Sequence, residues 1–548
     1  MLRLLCKLKA IKDAGVTLHA CALFCFLLAI NVFFQVVNDA YKSDFGAHPD
    51  EGAHVVTALM VRDYLAGGFI DSTNPISYAE SYYEAFPKVA IGHYPPLFYL
   101  IAGSWLLLGV TSYSFLIFSA VIASVCGLTT FLLGRLFMGQ VWALGAAIMF
   151  TMSPLAQRCT SVFMSDMMLL GWCLLSAAAF SRFMKKGLRV ESLIFGAVAS
   201  AAILTKLSGI LLAALPGLAL LFARRLHLLR KPAIWIAPIT VSLSAIPWVL
   251  LTYRITAEGV MDESGFAYFE KSLPFFSGAM IDIFGVLVMV LALTGMAFSV
   301  ANAAFGGRAV SNVEAVMIAL VISGFCFCLI VPAGLEERYL LVIAPAVFLL
   351  AFKSLQSICG NLVESLALSP RQAALVHLLA LGVIGVGFSM ESFDLSCKQA
   401  SGFGAIVVAV GNISEDVCPE ILVCSDARGE GAIVAAAAIS SPSRPGQGVK
   451  VCRGSKVLAS SDWLGRGYVA THGSVADVHS YIKSAGVQFV AIDHGVPPGK
   501  RAEYHNLIGR VVREARGDFI EVGRFATIRR GGEKNDVILY RVALDSAD

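Results

Sequence analysis

Long apolar runs dominate the first 390 residues and then stop. The runs, at about Val16–Val37, His93–Val110, Tyr113–Phe137, Val141–Pro154, Met164–Met184, Leu193–Leu204, Gly209–Phe222, Ala233–Thr252, Ala279–Val300, Glu314–Val331, Tyr339–Phe352 and Ala373–Phe388, hold few charges. Roughly 20 apolar residues in a helix cross the hydrocarbon of a bilayer. The pattern therefore predicts a polytopic α-helical membrane protein of about 11 to 13 spans. One polar interruption, residues 38–93, follows the first span. In it, Glu51–Leu65 reads as an amphipathic helix with Val55, Val56, Leu59, Met60 and Tyr64 on one face. Tyr78–Phe86 reads as a second helix. Its Tyr78, Tyr82, Tyr83 and Phe86 suit a membrane interface, so the loop is expected to lie on the bilayer as a lid.

Beyond residue 390 the runs shorten. Ala405–Val410, Ile421–Cys424, Val449–Cys452, Val487–Ile492 and Asp536–Val542 read as strands, with helices at Gly431–Ile439, Ser474–Ala485 and Ala502–Ala515. This alternation predicts a small α/β domain over residues 391–548, behind a membrane domain over residues 1–390. The turn Asp426–Gly431 lacks a dinucleotide-binding glycine pattern. Asn412-Ile413-Ser414 matches the glycosylation triplet, a short pattern that arises easily by chance.

Composition sharpens the class. Of 548 residues, 57% are hydrophobic and 15% charged, against about a quarter charged in soluble domains. Mean hydropathy is +0.74. A net charge of +4 without a basic, aromatic stripe points away from nucleic acid. The 13 cysteines include no CxxC pair, which removes a zinc knuckle or dithiol motif. Cys418, Cys424 and Cys452 would allow a disulfide if the C-terminal domain lies in an oxidising compartment.

Charge also orients the chain. Arg3, Lys7, Lys9 and Lys12 precede the first span, which is too long for a signal peptide and reads as a retained anchor. Arg182, Lys185, Lys186 and Arg189 form one basic loop, and Arg224, Arg225, Arg230 and Lys231 another. Positive charge marks the cytoplasmic side. The acidic first loop, Lys206, Tyr253–Phe276, Glu336–Arg338 and the C-terminal domain are then expected outside. Parity adds a demand: the three runs between His93 and Pro154 cannot all cross if Asp166 is outside, so one must be re-entrant or merely packed.

Polar groups that lipid would not tolerate without cause mark the candidate site. Asp50 and Glu51 open the first-loop helix. Glu80 and Glu84 lie one helical turn apart, ahead of Lys88 and His93. Arg158 and Asp166 flank a later loop, and Glu336-Glu337-Arg338-Tyr339 stands at the mouth of a late span. Each has a plainer reading. Asp50 and Asp166 suit helix caps, Glu80 and Glu84 a solvated face, and Arg158 a headgroup contact. As chemistry, the carboxylates can take a proton from an acceptor as general base. The basic groups can hold a phosphate leaving group. Carboxylates can also bind a divalent cation, or zinc together with His48, His54 or His93. The residues alone leave these open, and the cofactor is not identified.

Asp50-Glu51, His93-Tyr94-Pro95-Pro96-Leu97, Ser153-Pro154 followed by Asp166, Leu204-Thr205-Lys206 with Gly209, and Arg338-Tyr339-Leu340-Leu341 with Pro345 together resemble the GT-C membrane glycosyltransferases. The resemblance is to the bacterial branch of the protein mannosyltransferase-like superfamily, which includes the lipid A aminoarabinose transferase, and it covers about residues 15 to 390. It implies inverting transfer of a sugar, a hexosyl or pentosyl group, from a polyprenyl-phosphate donor. The acceptor would be a lipid, glycan or protein at the periplasmic face of a bacterial inner membrane. It makes Asp50 the catalytic base or acceptor-positioning group with Glu51 beside it, and Asp166 a second catalytic carboxylate. It makes Arg338, Lys206 and Lys88 contacts to the donor phosphate. His48, His93, Tyr94, Glu337 and Tyr339 are further pocket candidates. The rival from another class is a transporter or flippase of lipid-linked or anionic substrates, which would favour internal repeats of the span pattern; no such symmetry is visible. A third reading is a catalytically idle anchor that presents the C-terminal domain.

Overall fold

The structure, a computed structural model, describes residues 14–68, 74–305, 310–393, 395, 400–441, 448–529 and 532–543. Arg3, Lys7, Lys9, Lys12 and Asp71 lie outside these. Helix α1 (Ala14–Val37) leads into the first loop, which holds α2 (Glu51–Asp63) and α3 (Pro75–Ala85). Then come α4 (Leu97–Leu106), α5 (Ser112–Gly134), α6 (Gln140–Met152), α7 (Pro154–Thr160), α8 (Asp166–Lys186) and α9 (Arg189–Thr205). A 3-10 turn (Leu207–Ala213) precedes α10 (Leu215–Phe222). Next are α11 (Ile236–Ser244), α12 (Ile246–Ala257), α13 (Gly265–Phe305) and α14 (Asn312–Ile330). A second 3-10 turn (Glu337–Val342) leads to α15 (Ala344–Ser365) and α16 (Pro370–Phe393).

Among the described residues, six helices are long and apolar enough to cross a membrane, and α11 with α12, bent by 49°, makes a seventh if counted as one span. The other apolar runs fall on shorter helices. Buried amide side chains of α1 find partners inside the bundle, where a low dielectric favours pairing of polar groups. Asn31 of α1 donates to Ser124 of α5 at 3.0 Å, and Gln35 donates to the carbonyls of Leu116 and Thr160 at 3.0 and 2.9 Å.

Of the three runs between His93 and Pro154, two fall on helices shorter than a straight span: α4, whose 10 residues rise about 15 Å, and α6, whose 13 rise about 20 Å. Helix α4 packs on α2 of the first loop. At Gly103 the backbones meet closely, and a Cβ there would stand 3.0 Å from the Arg62 nitrogen. Helix α5 then runs away from the first loop, α6 returns, and α8 starts with Asp166 at the site end and finishes with Lys185 and Lys186 at the other. At that far end Arg225 donates to the Met184 carbonyl, and the Lys231 ammonium would meet a Cβ at Gly187. The two basic loops therefore adjoin.

The first loop departs from a surface lid. Tyr78 and Tyr82 of α3, and Phe86 just after it, are buried, and the Tyr82 hydroxyl donates to Asp63 at 3.2 Å. These rings pack inward on α2; Tyr83 alone of the four is exposed. Glu80 and Glu84 are exposed, as a solvated helix face would be.

The C-terminal domain begins with α17 (Phe403–Ile413), followed by β1 (Glu420–Cys424), α18 (Ala427–Ser440), β2 (Lys450–Arg453) and α19 (Gly454–Val457). The two-stranded hairpin β3 (Ala459–Ser460) and β4 (Val469–Ala470), then α20 (Val475–Ser484), β5 (Phe489–Asp493), α21 (Glu503–Glu514), β6 (Phe519–Ile528) and β7 (Lys534–Val542) complete it. The main sheet has the order β2-β1-β5-β7-β6, with β2, β1 and β5 parallel and β7 antiparallel to both β5 and β6. Side chains alternate between its faces. Ile421 and Val423 pack toward the first loop, while Leu422 and Cys424 pack under α20 and α21.

One expectation is corrected here. Residues 405–410 are helical, because the Asp44 carboxylate of the first loop accepts the first-turn amides of Phe403 and Gly404 at 2.9 and 3.3 Å. Cys418, Cys424 and Cys452 are all free thiols. Strand β6 and the β3–β4 hairpin have no counterpart among the strands expected from sequence.

The domain is docked on the first loop through a shared core. Val55, Leu59 and Phe98 belong to the same apolar cluster as Ile406, Val434 and Leu539. Helices α2 and α18 touch at paired glycines: a Cβ on Gly52 would stand 2.5 Å from the Gly431 carbonyl. Polar bonds surround this contact. Lys88 Nζ donates to the Ala427 carbonyl at 2.6 Å, and Arg453 donates to the Pro87 carbonyl at 3.1 Å while pairing with Glu430 at 2.8 Å.

Candidate active site

Asp50 stands at the N-cap of α2, yet its side chain makes no capping bond. The carboxylate instead faces a cavity of about 790 Å³ lined by Asp50, His93, Tyr94, Lys206, Glu336, Arg338, Tyr339 and Trp463 at one end. The cavity continues between apolar side chains of α9, α11 and α12, past Ile203, Pro238 and Val249, to Leu229 and Trp235. It is a polar head on a long apolar tail.

Asp50 Oδ2 accepts from the Tyr94 hydroxyl at 2.8 Å and lies 3.9 Å from Arg338 Nη2. Burial alone would raise the Asp50 pKa. His48, Arg338, His54 and the Tyr94 hydrogen bond outweigh it, and the carboxyl stays below its ordinary range. His48 Nδ1 lies 3.1 Å from the Asp50 amide, and its Nε2 lies 3.3 Å from Glu336. Burial raises and then His48, Arg338 and Lys206 lower the Glu336 carboxyl, to about 2.

Glu51, one residue on, turns the other way. It is fully buried and accepts the amides of Ala47 at 2.9 Å and Phe163 at 3.2 Å. It ties the first loop to the segment that leads into α8 and does not line the cavity.

Asp166 begins α8 and holds Lys206 at 2.6 Å, with Arg338 Nη1 at 3.6 Å from its other oxygen. Lys206 sits in extended backbone where α9 ends and the 3-10 turn begins. The chain folds back tightly there, and a Cβ on Gly209 would stand 2.6 Å from Ala202 of α9. Lys206 Nζ lies 5.0 Å over the Tyr339 ring, and the Arg338 guanidinium 5.6 Å from it. Arg338 also pairs with Glu336 at 2.6 Å. Two cations and three carboxylates thus form one network on an aromatic floor.

The expected set divides. Asp50, Asp166, Lys206, Arg338, Tyr339, Tyr94, His48 and His93 gather at the polar head. Lys88 does not line the cavity; its Nζ is committed to the C-terminal domain, and burial with Arg453 nearby pulls its pKa down to about 7. Glu337 points outward and pairs with Arg158 at 3.0 Å, both half-exposed. Its neighbour Glu336 lines the cavity instead.

His54, on α2, is fully buried beneath Asp50. Its Nδ1 meets the Tyr99 hydroxyl at 2.9 Å, and burial lowers its pKa to about 3, so it is neutral at pH 7. Trp463 and Leu464, from the β3–β4 hairpin, were missed because nothing local in sequence ties that hairpin to His93. Among the described residues, no group of three or more His, Cys, Asp and Glu is arranged to hold a metal ion. The site carboxylates are instead balanced by Lys206 and Arg338.

Residues 93–251 match the family model for dolichyl-phosphate-mannose-protein mannosyltransferases. No curated protein matches the chain in sequence. The structure resembles that of ArnT from Cupriavidus metallidurans bound to undecaprenyl phosphate, with a TM-score of 0.57 at 15% identity, over 96% of this chain and 98% of that one. It also resembles the archaeal oligosaccharyltransferase AglB from Archaeoglobus fulgidus, in complex with an inhibitory peptide and a dolichol-phosphate. There the TM-score is 0.55 at 12% identity, over 98% of this chain and 75% of that one. The chain has the GT-C membrane fold with a small α/β domain appended.

Proposed function

We propose that this protein is a glycosyltransferase that moves a sugar from a polyprenyl-phosphate donor to an acceptor on the extracytoplasmic face of a bacterial membrane, with inversion at the anomeric carbon. The observation that carries it is the cavity itself: an ionised carboxylate beside two buried cations, at the head of a long apolar channel. A polyprenyl tail fits the channel and a phosphate fits Lys206 and Arg338. The family-model match and the lipid phosphates bound in both similar structures support the same reading.

In the proposed step, Asp50 takes the proton from an acceptor hydroxyl or amine as that atom attacks the anomeric carbon. The bond from this carbon to the phosphate oxygen breaks, and its electron pair leaves with polyprenyl phosphate. Lys206 and Arg338 balance the charge that develops on the phosphate. Tyr94 orients the Asp50 carboxylate through its 2.8 Å bond. Asp166 holds both cations in place, and Glu336 holds Arg338 from the other side. The positive-inside pattern supports an extracytoplasmic site.

The donor half is tested by titrating undecaprenyl phosphate into the purified full chain. Arg338→Ala is expected to weaken binding by about ten-fold or more, the cost of a lost charge-assisted contact. Equal affinity of wild type and variant would overturn the phosphate site.

A further inference from the structure

The proposed reaction has an acceptor, and the membrane helices alone do not enclose the place where it must approach. The enclosing wall comes from the other domain. The β3–β4 hairpin reaches over the polar head, and Trp463 and Leu464 at its tip line the cavity that Asp50 faces. Trp463 stacks on His93 with ring centroids 4.0 Å apart and planes 29° from parallel. His93 itself has Asp50 and Glu258 among its charged neighbours. Trp463 is only half-buried, so ring surface remains toward the cavity.

The tip is anchored. Arg466 holds Asp462 within the hairpin at 2.6 Å. It also donates to the carbonyls of Val260 and Glu258, both at 2.9 Å, and pairs with Asp262. Gly259 and Val260 of that same segment line the cavity. One guanidinium therefore fastens the soluble domain to the loop after α12, and this fixes where the Trp463 ring stands.

Resting on the glycosyltransferase reading, we propose that Trp463 is an acceptor-binding residue and that the acceptor presents a sugar ring there, on a glycolipid or a glycan. A flat aromatic face takes the C–H face of a pyranose, much as it takes other apolar ring faces. Two carboxylates, Glu336 at the cavity and Glu258 near His93, offer acceptors for hydroxyls, which an apolar acceptor would not use. The donor lipid tail has no use for this ring, since the apolar channel runs the other way, toward Trp235.

The experiment compares full-length wild type, Trp463→Ala and Trp463→Phe in a deletion strain, reading envelope glycans by mass spectrometry, alongside undecaprenyl phosphate binding to each purified chain. Trp463→Ala is expected to lower the modified glycan by about ten-fold or more, with Trp463→Phe retaining most of it. Lipid phosphate binding should be equal in all three, which also shows that the variants fold. Wild-type product levels in Trp463→Ala would overturn the proposal. So would lost lipid binding in that variant, which would put the ring on the donor side, or a modified mass found on peptide instead of glycan. If wild type restores no modified mass at all, the glycosyltransferase reading fails, and this inference with it.

Discussion

Peptide geometry separates Asp50 from Glu51. They are adjacent, acidic and both at the start of α2, but one faces the cavity while the other is spent on the amides of Ala47 and Phe163. The same holds for Glu336 and Glu337, of which only the first lines the cavity. Sequence showed that carboxylates belonged at these places, since a charge in an apolar chain needs a reason. It could not show which of two neighbours turns inward, because that depends on where distant amides and cations come to rest. Asp166 is a case where the role is clear only in three dimensions. Its bond to Lys206 is buried on both sides, with 7% and 8% of the side chains exposed. Removing one partner of such a pair costs about 3–5 kcal/mol, because the other charge is left uncompensated. Asp166→Asn is therefore expected to lower the unfolding temperature sharply, and adding Lys206→Met should restore part of it while leaving transfer abolished. Equal stability of Asp166→Asn and wild type would contradict the ion-pair account.

At the scale of elements, the docking of α2 on α18 is what places Asp50. The Gly52–Gly431 contact leaves no room for a side chain, and Lys88 reaches across to Ala427. Lys88 makes this contact pH-sensitive. In an opened chain its ammonium keeps its proton up to the ordinary 10.5, but in the docked state burial and Arg453 let the proton go at about 7. Between those values the opened state binds the extra proton, so docking strengthens as pH rises through that window. Hydrogen exchange in α18, corrected for intrinsic rates, should slow from about pH 7 to about pH 9, and Lys88→Met should lose that dependence. Exchange that is unchanged or faster at the higher pH would contradict this.

Elements also show where sequence reading ends. The strands β1, β2, β5 and β7 carry their own alternation or apolar run, and the expected strands coincide with them to within one or two residues. Residues 405–410 carry an apolar run of similar length that suits a strand equally well, because short runs do not distinguish strand from helix. What decides is Asp44, far back in the first loop, which caps α17. Strand β6 was missed because its exposed positions, among them Glu521 and Arg524, break the apolar pattern.

For the molecule as a whole, the bundle, the acidic first loop and the α/β domain were all legible from run length and composition. The arrangement that joins them was not. The first loop is not a lid on lipid but the shared core between the two domains, with Phe45 and Tyr82 in the same cluster as Val434 and Leu539. The polar head therefore has walls from three distant parts of the chain: the first loop, the ends of membrane helices, and the β3–β4 hairpin. Such a composite site has no local signature.

The central claim is that Asp50 is the base of a sugar transfer from a lipid phosphate. Its most direct test is mass spectrometry of lipids and surface glycans from a deletion strain, complemented with wild type or with Asp50→Asn. The account predicts that wild type restores a glycan mass lost on deletion. It also predicts that Asp50→Asn falls short by about 10²–10⁴-fold, as removal of a general base does, while its undecaprenyl phosphate binding stays within a few-fold of wild type. Full restoration by Asp50→Asn would contradict it and reduce Asp50 to a structural residue of the first loop.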